Sequence, residues 1–136
     1  MNFWQAIASG FPNYVKFSGR ASRSEYWFWF LFVLLGDLAA QILDAGISFI
    51  QASAASLLVV VFYLVTLLPS LAVSIRRLHD IDRTGWWLLL FFIPLVGGIV
   101  LIVWFCFKGT SGYNRFGPDP LPAQYSGRHR VQAPQP

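Results

Sequence analysis

Residues 73–87 read VSIRRLHDIDRTGWW. Arg76, Arg77, Arg83, His79, Asp80 and Asp82 crowd into this one stretch, and the chain on either side is almost purely apolar. A charged knot between two greasy runs predicts a tight, wet loop between membrane helices. The rest of the chain is placed relative to it: two spans before, one apolar segment after, and a polar region at each end.

The flanking runs are long. Ser53–Ile75 and Trp86–Phe107 carry no charged residue. About 20 such residues span the ~30 Å hydrocarbon layer as a helix. The runs are continuous and do not alternate with polar residues, which favours helices over barrel strands. Apolar residues make up 56% of the chain and charged ones 12%, against about 25% charged in soluble domains. The predicted fold is therefore an all-α membrane protein, a small polytopic bundle of about three transmembrane helices with an N-terminal amphipathic helix. Residues 1–22 form the interfacial helix and turn. Residues 23–108 form the transmembrane domain, with spans near 26–47, 53–75 and 86–107. Residues 109–136 form a polar tail, largely disordered after 120. A chain of 136 residues suits one such unit.

The net charge of +4 comes from basic residues that flank apolar spans, which argues against nucleic acid as a partner. Cys106 is the single cysteine. It has no intrachain disulfide partner, and no zinc spacing exists. No metal or cofactor is expected. A secretory signal peptide is not expected either: the first fifteen residues hold no Lys or Arg, and the first long apolar run starts at Tyr26.

Upstream of the charged stretch, Pro69 interrupts the second span and should kink it, with Thr66 placed to satisfy the freed carbonyl. The first span carries Asp37, Gln41, Asp44 and Ser48 at helical spacing, one narrow polar stripe with Gly36 and Ala40 beside it. Asp37 falls near mid-membrane, where an Asp costs about 2.5–3.5 kcal/mol and should face protein or water. Small residues four apart admit a neighbouring helix. The stripe reads as a helix–helix contact face, or as an ion or proton path. Ala45–Ser56 is a short turn without Lys or Arg. Ser22-Arg23-Ser24-Glu25 fits a capping box at the start of the first span. Tyr26, Trp27 and Trp29 are expected at headgroup depth, with Lys16, Arg20 and Arg23 in water. Asn2–Phe11 sets Phe3, Trp4, Ile7, Ala8 and Phe11 on one arc, a short helix that lies in the interface or docks on the bundle. Pro12 and Asn13 end it.

Within the charged stretch, Arg76 and Arg77 should end the second helix. Asp80 is spaced to pair with Arg76, and Asp82 or Thr84 to cap the next helix. His79-Asp80 invites a catalytic or metal reading, but no nucleophile or ligand set accompanies it. Binding of anionic lipid headgroups by the arginines is the alternative to a purely structural loop. Downstream, Trp86–Phe107 is expected as one kinked span, with a re-entrant hairpin turning at Pro94–Gly98 as the alternative. With the N-terminus in the cytoplasm, Lys16, Arg20, Arg23, Arg76, Arg77 and Arg83 lie inside, as the positive-inside rule requires. A full third span places Lys108 and Arg115 outside; a hairpin places them inside. Gly109–Pro120, with Asn114 and Arg115 among its turn residues, is punctuated by Gly, Asn and Pro.

Three stretches together resemble a family of bacterial inner-membrane proteins, the domain of unknown function 805 (the YhaH-like proteins). They are FSGRASRSEYW at Phe17–Trp27, SIRRLHDIDRTGWW at Ser74–Trp87 and KGTSGYNRFGPDP at Lys108–Pro120. The resemblance covers about Tyr14 to Pro120. It implies a small multi-pass inner-membrane protein and no particular reaction.

Three functions compete. The first is a non-enzymatic membrane module acting by assembly with itself or another membrane protein. The second is an oligomeric transporter or channel subunit using Asp37 and Asp44. The third is a lipid-headgroup-binding or lipid-modifying protein using the Arg76–Asp80 stretch. The residues that carry these readings are Arg20, Glu25, Asp37, Asp44, Arg76, Arg77, His79, Asp80, Arg83, Asn114 and Arg115. The implied partners are the lipid bilayer, anionic headgroups, and a second copy or another membrane protein.

Overall fold

A computed structural model describes residues 2–50 and 57–121. Apart from Leu121, the stretch expected to be disordered lies outside the described residues.

Helix α1 (Phe3–Gly10) opens on a reciprocal cap. The Asn2 side chain accepts from the Gln5 amide at 2.9 Å, and the Gln5 side chain accepts from the Asn2 amide at 3.0 Å. Asn13 closes the far end by donating its side-chain amide to the Ser9 carbonyl at 2.7 Å. The buried side is not the expected apolar arc, of which Phe3 and Ile7 are half-buried and Trp4, Ala8 and Phe11 exposed. Ala6 and Gly10 are buried against α2 (Arg23–Ile50), whereas Trp4 stays 75% exposed. Gly10 lies under the Trp29 ring so closely that a Cβ there would overlap it.

Helices α2 and α3 (Leu57–Asp80) are long and apolar enough to cross a membrane. Little of either is hidden: Leu34, Leu38, Ile42, Leu64 and Leu67 are all exposed. A soluble protein does not present apolar surface on that scale, so these faces meet hydrocarbon. The two helices touch where Gly36 meets the Phe62 ring, a contact that a Cβ would block, and Ala40 is buried nearby. Trp29, expected at headgroup depth, is instead buried. Its indole N–H donates to the Ser70 hydroxyl of α3 at 3.1 Å. Helix α2 runs on to Ile50, so Ala45–Ile50 is helical; the rest of the expected turn lies outside the described residues. Thr66 does not serve the carbonyl that Pro69 frees at Val65. It donates to Phe62 at 2.7 Å.

The continuous helix expected over 86–107 does not form. Gly85–Phe92 is a 3-10 helix, and α4 covers Val96–Cys106. Pro94 has no amide to donate and its ring blocks a continuing helix. Leu95 takes a left-handed φ of 64°, and Gly97 approaches the Leu90 carbonyl where any Cβ would collide. The chain doubles back, and Trp87 and Trp104 meet edge-on at 5.5 Å. Each arm rises about 16 Å, roughly half the hydrocarbon thickness. The turn falls where the hairpin alternative puts it.

Candidate functional site

Three chain segments far apart in sequence meet at the end of α3. Helix α3 continues through Asp80, so most of the expected loop is helix and only residues 81–84 connect onward. Nor is the stretch wet: Arg76, Arg77, His79 and Asp80 are buried, Arg77 completely. The physical reason is that each charge finds its partner inside the chain.

Asp80 lies at the centre. Its Oδ1 accepts from Arg20 Nε at 3.0 Å and its Oδ2 from Arg77 at 2.5 Å. Arg20, expected in water, is thus buried just before α2. Its remaining nitrogens donate to the carbonyls of Gly112 at 2.5 Å, Gly117 at 3.3 Å and Thr110. Arg77 turns the other way. Its Nε donates to Phe105 O at 3.2 Å and its Nη2 to Phe105 O and Phe107 O. These are carbonyls at the C-terminus of α4, which has no intrahelical donors for them. One carboxylate therefore joins the start of α2, the end of α3, the end of α4 and the segment that follows. Gly109 lies against Asp80 so closely that a Cβ would overlap the carboxylate.

Arg76 does not pair with Asp80. Its Nη1 donates to Glu25 at 2.7 Å, and its Nε has no partner among the described residues. The capping box is accordingly half made. Ser22 accepts from the Glu25 amide at 3.2 Å, but the Glu25 carboxylate serves Arg76 and does not reach back. Three guanidinium groups against two carboxylates leave the buried cluster with one net positive charge.

Residues 109–120 are not a loose tail. They fold over the cluster through a small turn in which Asn114 and Gly117 exchange backbone hydrogen bonds at 3.1 Å. Asn114 donates to the His79 carbonyl at 2.9 Å, and the Phe116 ring stacks on His79 at 4.0 Å, nearly parallel. His79 Nδ1 lies 3.0 Å from the Gly19 carbonyl. A carbonyl only accepts, so Nδ1 carries the proton. On the outer edge, exposed Arg115 pairs with Asp82 at 3.1 Å. Asp82 thus caps nothing, and Thr84 precedes the 3-10 helix without a side-chain bond. Arg83 lies 4.0 Å from the Trp104 ring and 5.7 Å from that of Trp87.

Asp37 and Asp44 lie elsewhere. The Asp44 carboxylate, buried, accepts from the amides of Leu58 at 3.3 Å and Val59 at 3.1 Å. It caps α3 from α2, where the positive end of the helix dipole favours an anion. Asp37 accepts from Gln41 at 2.8 Å through one oxygen, while the other has no partner among the described residues.

The arrangement binds chain to chain and offers little to a substrate. Both Asp80 oxygens and His79 Nδ1 are committed to structural bonds, and among the described residues no hydroxyl or thiol hydrogen-bonds to either side chain. No group of three or more His, Cys, Asp or Glu suited to a metal occurs among the described residues. Sequence reasoning missed Gly109, Thr110, Gly112, Phe116 and Gly117 as cluster residues. Backbone carbonyls leave no trace in side-chain identity; the glycine density of the segment was the available signal.

The three converging segments are those of the resemblance, and the protein-of-unknown-function model DUF805 matches residues 14–118. The chain belongs to the DUF805 family. Its relatives include inner membrane protein YhaI of Escherichia coli K12, 50% identical over 116 residues covering 85% of this chain and 95% of YhaI. Inner membrane protein YhaH of the same strain is 44% identical, covering 79% of this chain and 89% of YhaH. The uncharacterized protein YiiR of that strain is 30% identical, covering 81% and 89%. No solved structure matches the chain. The exposed apolar helices and these relatives together make this DUF805 chain an all-helical membrane protein.

Proposed function

We propose that the protein is a non-enzymatic inner-membrane module that works by helix–helix assembly within the bilayer. The observation that carries this reading is the Asp37–Gln41 pair. It sits half-way along α2, with Gln41 exposed on the lipid side and donating to Asp37 at 2.8 Å. Polar groups at that depth are costly in hydrocarbon and are satisfied by other helices. Gly36 and Ala40 are used against α3 within the chain, so the assembly face is the polar pair, not the small residues. Single-molecule photobleaching in lipid vesicles tests it. Replacing Asp37→Leu together with Gln41→Leu weakens association about threefold or more, from ~0.6 kcal/mol per interhelical hydrogen bond. An unchanged oligomer, or a wild-type monomer, refutes the reading.

The same proposal puts the N-terminus in the cytoplasm. Arg20, Arg76, Arg77, Arg83 and Arg115 gather at one end of the molecule, and the hairpin returns Lys108 to it. That collects the basic residues on one side, as cytoplasmic residues are. In a Cys106→Ser chain, the exposed Ser111→Cys position should react with an impermeant maleimide only after the membrane is opened. Labelling from outside intact cells reverses the orientation.

A further inference from the structure

An open cleft of about 850 Å3 runs between α3 and the hairpin. Leu67, Leu71, Leu89, Phe92, Ile102 and Phe105 wall it. The two serines on its walls and one ring nitrogen of His79 turn their bonds inward. Ser74 donates to the Ser70 carbonyl at 2.7 Å, the Ser70 hydroxyl takes the Trp29 N–H at 3.1 Å, and His79 Nδ1 binds Gly19. The cleft therefore offers its occupant hydrocarbon, in a volume within the range of ligand sites, roughly 300–1,000 Å3.

One end is bounded by Phe17, His79 and Gly85, beside the buried cluster with its surplus positive charge. Lys16 adjoins Phe17 and Arg23 lies one helical turn before Tyr26 of the cleft wall, and both are exposed. No carboxylate lines the cleft. Close helix docking in membranes uses small residues on both faces; these walls are mostly Leu, Ile and Phe, which suit a thin flexible chain better. We propose that the cleft holds one acyl chain of an anionic phospholipid, with its phosphate at the basic rim formed by Lys16 and Arg23. This site is separate from the Asp37 face and stands or falls without it.

Gly98 lines the cleft, and a Cβ built on it meets nothing within 4 Å. A side chain at Gly98 thus starts in open space on the cleft wall, and Gly98→Phe is the variant that occupies the cleft. Gly46 is equally open but lies on α2 away from the cleft, so Gly46→Leu is the matched control. Native mass spectrometry of the full chain in neutral detergent, titrated with palmitoyl-oleoyl phosphatidylglycerol or phosphatidylcholine, reads bound lipid directly. The wild type and Gly46→Leu retain one phosphatidylglycerol in preference to phosphatidylcholine, and Gly98→Phe loses it at an unchanged melting midpoint. Lys16→Gln and Arg23→Gln each weaken phosphatidylglycerol about fivefold and leave phosphatidylcholine unaffected. Equal retention of both lipids, or undiminished phosphatidylglycerol on Gly98→Phe, overturns the proposal. So does a dimer that Gly98→Phe splits while lipid binding is unchanged, since the occupant is then a second copy.

Discussion

The bilayer-facing part of the molecule and the end of α3 are held together by opposite means. In the most apolar windows of α2 and α3, only 11% and 22% of residues are buried. At the end of α3, Arg77 is 0% and Asp80 3% exposed. Lipid tails are as apolar as Leu, so burial against another helix stabilises little inside the bilayer. Orientation of the elements then rests on directional bonds. Asp80, Arg20, Arg77 and the carbonyls they reach supply these, and the apolar surfaces need only match the hydrocarbon. A polar knot of this kind is more costly to break than to omit.

The sharpest way to break the comparison is at its centre. Asp80→Ala removes the carboxylate that two buried guanidinium groups share. Losing one partner of a buried ion pair costs about 3–5 kcal/mol. Unfolding in mixed micelles should register a loss of that order, whereas Leu38→Ala, on an exposed lipid-facing position, should change stability by well under that. Comparable losses from the two substitutions would mean that apolar packing carries the fold after all.

A smaller effect comes from Gly109→Ala. The added methyl meets the Asp80 carboxylate, and the neighbour it displaces is bonded on both oxygens. Overpacking of a tight site costs about 1–3 kcal/mol. The same unfolding measurement, with Gly46→Ala as an open-space control, checks it. A Gly109→Ala chain as stable as the control would show that the segment after α4 rests on the cluster only loosely.

Most of the bilayer-facing architecture was legible because apolar runs and their lengths are written directly in residue identity. The Ser53–Ile75 run and the Ser22 half of the capping box were visible that way. What misled was the inference from charge to water. Arg76, Arg77 and Asp80 look solvated when read locally. Apart from the local Arg77–Asp80 bond, their partners, Glu25, Arg20 and the carbonyl of Phe105, lie 28 to 60 residues away. Pairing at that separation has no local signature. The Pro94–Gly98 break was a matter of weighing: Pro94 alone permits a kink, and only the close approach of Gly97 to Leu90 turns it into a hairpin. Asp44 as a cap from one helix to the next was hidden for the same reason as the ion pairs.

The smallest expected effect marks the edge of the polar knot. Arg115 and Asp82 form an ion pair with side chains 58% and 50% exposed. Water competes for both charges and salt screens them, so such pairs contribute about 0.2–1 kcal/mol. The Arg115 guanidinium also bonds the Asp82 carbonyl at 2.8 Å and lies over the Phe116 ring at 4.9 Å, contacts that position the segment covering His79. Arg115→Gln should therefore cost under about 1 kcal/mol in unfolding, while amide exchange at Phe116 and Gly117 quickens because the turn over His79 loosens. Raising the salt concentration should bring wild type and variant together, and should leave the gap between wild type and Asp80→Ala almost untouched, because buried charges escape screening. If salt narrowed both gaps alike, Arg20, Arg77 and Asp80 would be no better shielded from solvent than the pair at the rim, and the contrast between the two regions would fail.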